Sequence, residues 1–262
     1  MDGINLNTLG FRGDIRWVYN EEGSGTKFYN SSMYFPDSLT KPQTNSGITI
    51  DPGLDLGNAE RELIYEVLNF YSKESLLTTY QGDALRHAIG LTGKDAIGWF
   101  NNNKLAFKNK FLVPDLVAMF VLVNHTAPDY WQPLTAAMPA LLKMRNEKLK
   151  CAVHTALLSL SYNKGSKAAI SAAKEFAAIG SWDGLAKKIK SIRQRTEALK
   201  NRRRREAELI FAALKHKGDF IITLDGEINP MPVTAIPHAY SEYVVEKLGY
   251  ELKLDPNFKI KI

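Results

Sequence analysis

The chain has 262 residues, enough for one domain with an extension, and its 45% hydrophobic and 24% charged content excludes wholesale disorder. Lys and Arg number 34 against 28 Asp and Glu; the resulting charge of +6 favours an anionic polymer or surface without naming one. Cys151 is the only cysteine, which excludes an intramolecular disulfide framework and a cysteine-based zinc site.

The start, Met1-Asp2-Gly3-Ile4-Asn5, has neither a basic region nor an apolar core, so no Sec-type signal is expected. The first sixty residues are rich in Gly, Asn, Ser, Tyr and Pro. Their pattern predicts a helix over 10–22 and short β-prone pieces at 27–29 and 47–50, separated by turns at 35–38 and 51–53. From residue 58 to about 215 the pattern is helical. Leu63, Ile64, Val67, Leu68 and Tyr71 recur at helical spacing, and Asp83-Ala84-Leu85 and Val113-Pro114-Asp115 read as helix starts. The most apolar run, 111–123, contains Pro114 and Asp115 and is too short to span a bilayer.

The segment 149–162 is apolar almost all round, which predicts a buried central helix. Ser181-Trp182-Asp183-Gly184 opens a helical segment that continues to residue 214. Beyond Gly218, residues 220–224 read as a strand, 230–237 are Pro-rich and 240–248 read as a short helix.

Two carboxylate-bearing stretches stand out at the front. Glu21-Glu22-Gly23 closes the first helix, and Gly47-Ile48-Thr49-Ile50-Asp51-Pro52-Gly53-Leu54-Asp55-Leu56-Gly57 follows a β-prone region. On the residues alone, Glu22 ends a solvated helix and Asp55 begins the next one. Glycoside hydrolysis also needs two such groups, an acid for the leaving oxygen and a polar group for water on the opposite sugar face.

Glu-Gly at a helix end, followed by Gly-x-Thr-Ile-x-x-Gly-x-Asp-Leu-Gly, resembles the catalytic segment of phage-type lysozymes, closest to the pesticin-like branch with its order Glu, Thr, Asp. Two later stretches carry the resemblance further. Residues 153–165, ending Ser-Leu-Ser-Tyr-Asn-Lys-Gly, are similar to the family's central helix; Arg202-Arg203-Arg204-Arg205-Glu206-Ala207-Glu208-Leu209 is similar to its late helix. The resemblance covers roughly residues 10–215 and implies an α+β, lysozyme-like fold, with a small β-containing lobe, a larger helical lobe and a cleft between them. Residues 1–217 would form the catalytic domain (1–57 helix plus small sheet, 58–217 helical lobe), and 218–262 an extension of unassigned role.

The implied activity is a muramidase cleaving the β-1,4 bond between N-acetylmuramic acid and N-acetylglucosamine, with bacterial peptidoglycan as partner and no cofactor or metal. Glu22 matches the general acid, and Thr49 and Asp55 match the groups that position water or stabilise the oxocarbenium-like state. The segment 23–49 is longer than in the family, and Asp51-Pro52 replaces its usual glycine and small apolar residue. Asp37 is the rival for the aspartate, in the order of ordinary phage lysozymes, and Asp51, two residues from Thr49 on a strand, is the third candidate. The alternative is a catalytically silent lysozyme-like structural or wall-binding module of a phage particle or secretion apparatus. Either would be made in a bacterial cytoplasm without a Sec signal and delivered to the wall by phage or secretion machinery.

The remaining motifs are quieter. His87, His125, His154, His216 and His238 have no metal-ligand spacing, and His154 and Cys151 read as packing residues. The run 202–205, with lysines and arginines upstream, reads as a solvated face paired with Glu197, Glu206 and Glu208 rather than a nucleic-acid site. No stable membrane insertion is expected.

Overall fold

The structure, a computed structural model, describes residues 6–22, 33–34, 47–50, 53–107, 113, 115–194, 196–215, 220–222 and 228–230. Among these the protein is mostly helical with small antiparallel sheets, an α+β arrangement. The chain divides into two compact units. One holds the described residues up to Glu21 together with those from Ala127 onward; the other holds those from Glu22 to Thr126. The three-stranded sheet therefore shares a unit with the helices that follow it, not with the helix that precedes it.

The first helix, α1 (Ile15–Glu21), starts five residues later than the periodicity predicts. Asp14 sets that start: its Oδ1 accepts the Trp17 N–H at 2.9 Å, an N-cap bond to the third helical residue. Gly13 lies so close to the backbone of Thr155 that a Cβ there would stand 2.8 Å from its nitrogen. Ile15, Trp17, Val18 and Tyr19 are buried.

In the second unit, β1 (Met33–Tyr34), β2 (Thr49–Ile50) and β3 (Leu54–Asp55) form an antiparallel sheet in that order. Ile50 faces Leu54 across β2 and β3, and both are buried. Then comes α2 (Arg61–Lys73), whose buried residues are the five that the spacing picked out: Leu63, Ile64, Val67, Leu68 and Tyr71. The helix α3 (Thr79–His87) begins four residues before the predicted start at Asp83. A capping box explains the difference, because Thr78 and Gln81 exchange side-chain and backbone hydrogen bonds at the N-terminus. Asp83 instead pairs with Arg86 within the helix. The buried Gln81 also donates to the Ala106 carbonyl of α4 (Gly93–Phe107), and Trp99 of α4 donates to the Ala84 carbonyl. A helix α5 (Asp115–Val121), starting where Val113-Pro114-Asp115 predicts, and a π turn at Leu122–Thr126 close this unit.

The first unit resumes with α6 (Ala127–Ala137), which contains Pro133, and a 3-10 turn at Pro139–Leu141. The helix α7 (Glu147–Lys164) is the axis of the unit. Every residue from Cys151 to Tyr162 is buried, as the near-continuous apolar circumference predicts, and α7 packs against α1, α6, α8 (Ser166–Ile179) and α10 (Glu197–Lys215). Burial of each such Leu or Val contributes about 1.5–3 kcal/mol.

The helical segment predicted from 181 to 214 is two helices, α9 (Trp182–Ser191) and α10, packed against each other. Ile192 turns extended after α9 (φ −64°, ψ 118°), and the Thr196 hydroxyl accepts the Leu199 N–H at 3.3 Å, opening a new helix. The strand β4 (Phe220–Ile222) pairs antiparallel with β5 (Ile228–Pro230). Residues 223 and 224, which the reading includes in this strand, lie outside the described residues, as do the β-prone piece at 27–29, most of the Pro-rich stretch and the predicted helix at 240–248.

Candidate active site

The sheet brings two of the three expected site residues together. Thr49 lies directly across from Asp55 in the β2–β3 register, so their side chains share one face, opposite the buried face of Ile50 and Leu54. The Asp55 carboxylate is tightly held. Its Oδ1 accepts the backbone N–H groups of Gly47 (2.9 Å) and Gly57 (2.8 Å), and its Oδ2 accepts from the Asn58 side-chain amide (2.8 Å). A carboxylate offers roughly four acceptor directions, so three donors fix its orientation and leave capacity on Oδ2.

The glycines flanking this segment are required by contact. A Cβ on Gly47 would stand 2.5 Å from the Gly57 Cα and nitrogen, and one on Gly57 would stand 2.6 Å from the Leu91 carbonyl oxygen. Gly47 and Gly57 thus press backbone to backbone, and Asp55 bridges them from the side. The repeated glycines of the motif have a physical reason that spacing alone does not reveal.

Glu22 directly follows α1. Its neighbour Glu21 is the terminus of a buried polar network in the first unit. Arg205 grips the Glu21 carboxylate with both ends of its fork, Nε to Oε1 and Nη2 to Oε2, each at 2.7 Å. This bond raises the Arg205 pKa further above its ordinary value. Arg202 Nη1 donates to the Glu21 carbonyl oxygen at 3.3 Å, while its Nε and Nη2 reach Ser159. Glu206, fully buried, accepts from the Ser159 hydroxyl at 2.6 Å and pairs with Arg203 at 2.7 Å. Burial pushes the Glu206 carboxyl up to about 7, against the downward pull of Arg203, Arg202 and the Ser159 hydroxyl.

This overturns the reading of the basic run as a solvated face. Arg202 and Arg203 are buried, and only Arg204 of the four lies on the exposed side, near Glu197 at 3.8 Å. The i to i+4 and i to i+3 spacings of Arg202 and Arg203 to Glu206 pull all three side chains to one side of α10, into contact with the polar end of α7. Glu208, also expected on that face, pairs with Lys190 of α9 instead.

The packing role expected of His154 and Cys151 is what the structure shows. The His154 Nδ1 accepts the Arg12 N–H at 3.0 Å, so Nε2 carries the proton and donates to the Leu141 carbonyl at 3.1 Å. Burial depresses its pKa to about 3. Desolvation likewise pushes the Cys151 thiol far above its ordinary value. His125, in the π turn, bonds Glu66 at 2.7 Å and lies against the rings of Phe70 and Phe120. Among the described residues no group of three or more His, Cys, Asp or Glu is arranged to hold a metal ion.

Asp37 and Asp51, the rivals of Asp55, lie outside the described residues. Sequence reasoning passed over Glu21, Arg205, Ser159 and Asn58 as functional neighbours. The Glu21-Glu22 doublet was the available signal, because adjacent carboxylates at a helix end call for a cation, and 202–205 is the densest run of cations in the chain. No protein-family model matches the sequence, and no curated protein matches it.

Proposed function

We propose that the protein is a peptidoglycan muramidase of lysozyme-like fold, cleaving the β-1,4 bond between N-acetylmuramic acid and N-acetylglucosamine. Glu22 is the general acid that protonates the glycosidic oxygen. Asp55 and Thr49 position the attacking water or stabilise the positive charge that develops on the sugar ring. The observation that carries the reading is the β2–β3 register, which puts Thr49 and Asp55 side by side on the face away from the core. A hydroxyl beside an oriented carboxylate can hold one water between them, the arrangement that general-base assistance requires. The Arg205–Glu21 bond supports it further, since it fixes the end of α1 one residue before the proposed acid.

The test is the mass spectrum of fragments from digested peptidoglycan, which separates muramidase products from those of a glucosaminidase or transglycosylase. Glu22→Gln keeps the shape and cannot donate the carboxylic proton. It is expected to lower the rate by about 100- to 10,000-fold with an unchanged melting temperature. Clearance of peptidoglycan by Glu22→Gln at the wild-type rate would end the proposal.

One observation favours the second reading, a catalytically silent lysozyme-like structural or wall-binding module. All three donors on Asp55 come from the segment 47–58 itself, so its conformation has a structural use without any catalysis. Purified peptidoglycan that keeps its turbidity under the wild-type protein, while binding it, would select that reading.

A further inference from the structure

The first unit has a cavity of about 410 Å³ that none of the proposed catalytic residues lines, bounded by Thr8, Leu9, Gly10, Arg12, Thr135, Leu142 and Lys150. Its volume falls in the range of small-molecule sites. The lining contains two cations and no carboxylate. Both cations also act electrostatically on the same buried imidazole, His154.

Arg12 keeps most of its donors, and the Lys150 charge is only partly offset. Arg12 Nη1 donates to the Phe11 carbonyl at 2.8 Å, one of five N–H donors that a guanidinium carries. Lys150 is largely buried and forms a long ion pair, 3.6 Å, with the half-exposed Glu147, an exposed partner that solvent screens. The imidazole behind them is neutral, because its Nδ1 accepts the Arg12 backbone N–H. Thr135 adds a hydroxyl and Leu142 an apolar wall that is itself 43% exposed. Two partly desolvated cations around an open cavity attract an anion more strongly than the same charges on a flat surface.

We infer that this cavity is a binding site for a compact oxyanion, a carboxylate or phosphate group carried on a small molecule or polymer unit, held by Arg12 and Lys150. The inference stands whether or not the chain cleaves a glycosidic bond, because no residue of the cavity belongs to the proposed catalytic set.

Calorimetric titration of the full-length protein with inorganic phosphate, and separately with D-alanyl-D-alanine as a carboxylate probe, tests it. Saturable one-site binding is expected for at least one probe, and which one binds identifies the source of the oxyanion. Arg12→Gln and Lys150→Gln should each weaken binding about tenfold or more, as expected when a charge-assisted hydrogen bond is lost. Thr135→Glu, with an unchanged circular dichroism spectrum as the check on folding, should abolish binding by placing a negative charge in the cavity. Lys187→Gln, which removes a lysine paired with Asp183 on α9, should leave affinity unchanged. The inference is overturned if neither probe saturates in the millimolar range, if Thr135→Glu binds as the wild type does, or if Lys187→Gln weakens binding as much as Arg12→Gln.

Discussion

Replacing Arg205 by Met removes the two bonds to Glu21 and keeps most of the apolar stem that covers it. The cost follows from burial. Exposed ion pairs contribute about 0.2–1 kcal/mol, whereas breaking a buried pair costs about 3–5 kcal/mol, because one charge is left in a poor solvent. Here the Glu21 side chain is 7% exposed and Arg205 is 31% exposed. The carboxylate left behind is therefore almost as badly placed as in a buried pair, although water reaches one side of the vacated position. A loss of about 2–3 kcal/mol follows, against a total stability of roughly 5–15 kcal/mol. Arg205→Lys should recover part of the loss, because an ammonium reaches one oxygen where the guanidinium fork reaches both. Urea denaturation of Arg205→Met, Glu21→Gln and the double variant gives the coupling energy directly. A coupling below about 0.5 kcal/mol would mean that the pair behaves like an exposed one, and the role given to it in fixing the end of α1 would fall.

Asp55→Asn should cut lysis of peptidoglycan far more than Asp37→Asn, with melting curves recorded for both variants. It should also lower stability by about 1–3 kcal/mol, because an amide that keeps both glycine bonds turns its NH2 toward the Asn58 amide; a dead Asp37→Asn beside an active Asp55→Asn would transfer the role to Asp37. Gly57→Ala drives a methyl against the Leu91 carbonyl at 2.6 Å and should destabilise by about 1–3 kcal/mol in urea denaturation, whereas an unchanged midpoint would refute the backbone contact. His154 has a folded pKa of about 3 against 6.5 for the free side chain, so below 6.5 the unfolded chain binds the extra proton and stability falls with pH. The advantage of the wild type over His154→Gln should shrink by about 1.4 kcal/mol per pH unit between those values, and a pH-independent difference would show that the imidazole is not buried neutral.

Helix faces were the most legible part of the sequence. The spacing in α2 selected its five buried residues, and the composition of α7 announced an interior helix, because burial follows apolar periodicity directly. Helix ends were less legible. Asp14, Thr78 and Thr196 each shift a boundary through a side-chain bond to the backbone, and such caps are local chemistry that periodicity averages away. The charged run was misjudged for a related reason. Counting arginines treats each as a surface charge, whereas Arg202 and Arg203 sit on the inner side of α10, Arg202 against Ser159 and Arg203 paired with Glu206. The pairing of Thr49 with Asp55 was legible only through the motif, and the sheet supplies its reason in register.

The contact between Gly47 and Gly57 works as a clasp on a short ring of chain. The β2–β3 pairing of Thr49 with Asp55 lies inside the ring. The strand β1 enters upstream of the clasp and pairs with β2 alone, so the register of β2 on β3 is set by the clasp and not by β1. Within the ring the rule is parity. One residue added between Ile50 and Leu54 could be absorbed by the turn, but one added inside either strand would reverse which of Thr49 and Ile50, or of Leu54 and Asp55, faces inward. The strand positions 49–50 and 54–55 therefore cannot change in number without separating the hydroxyl from the carboxylate.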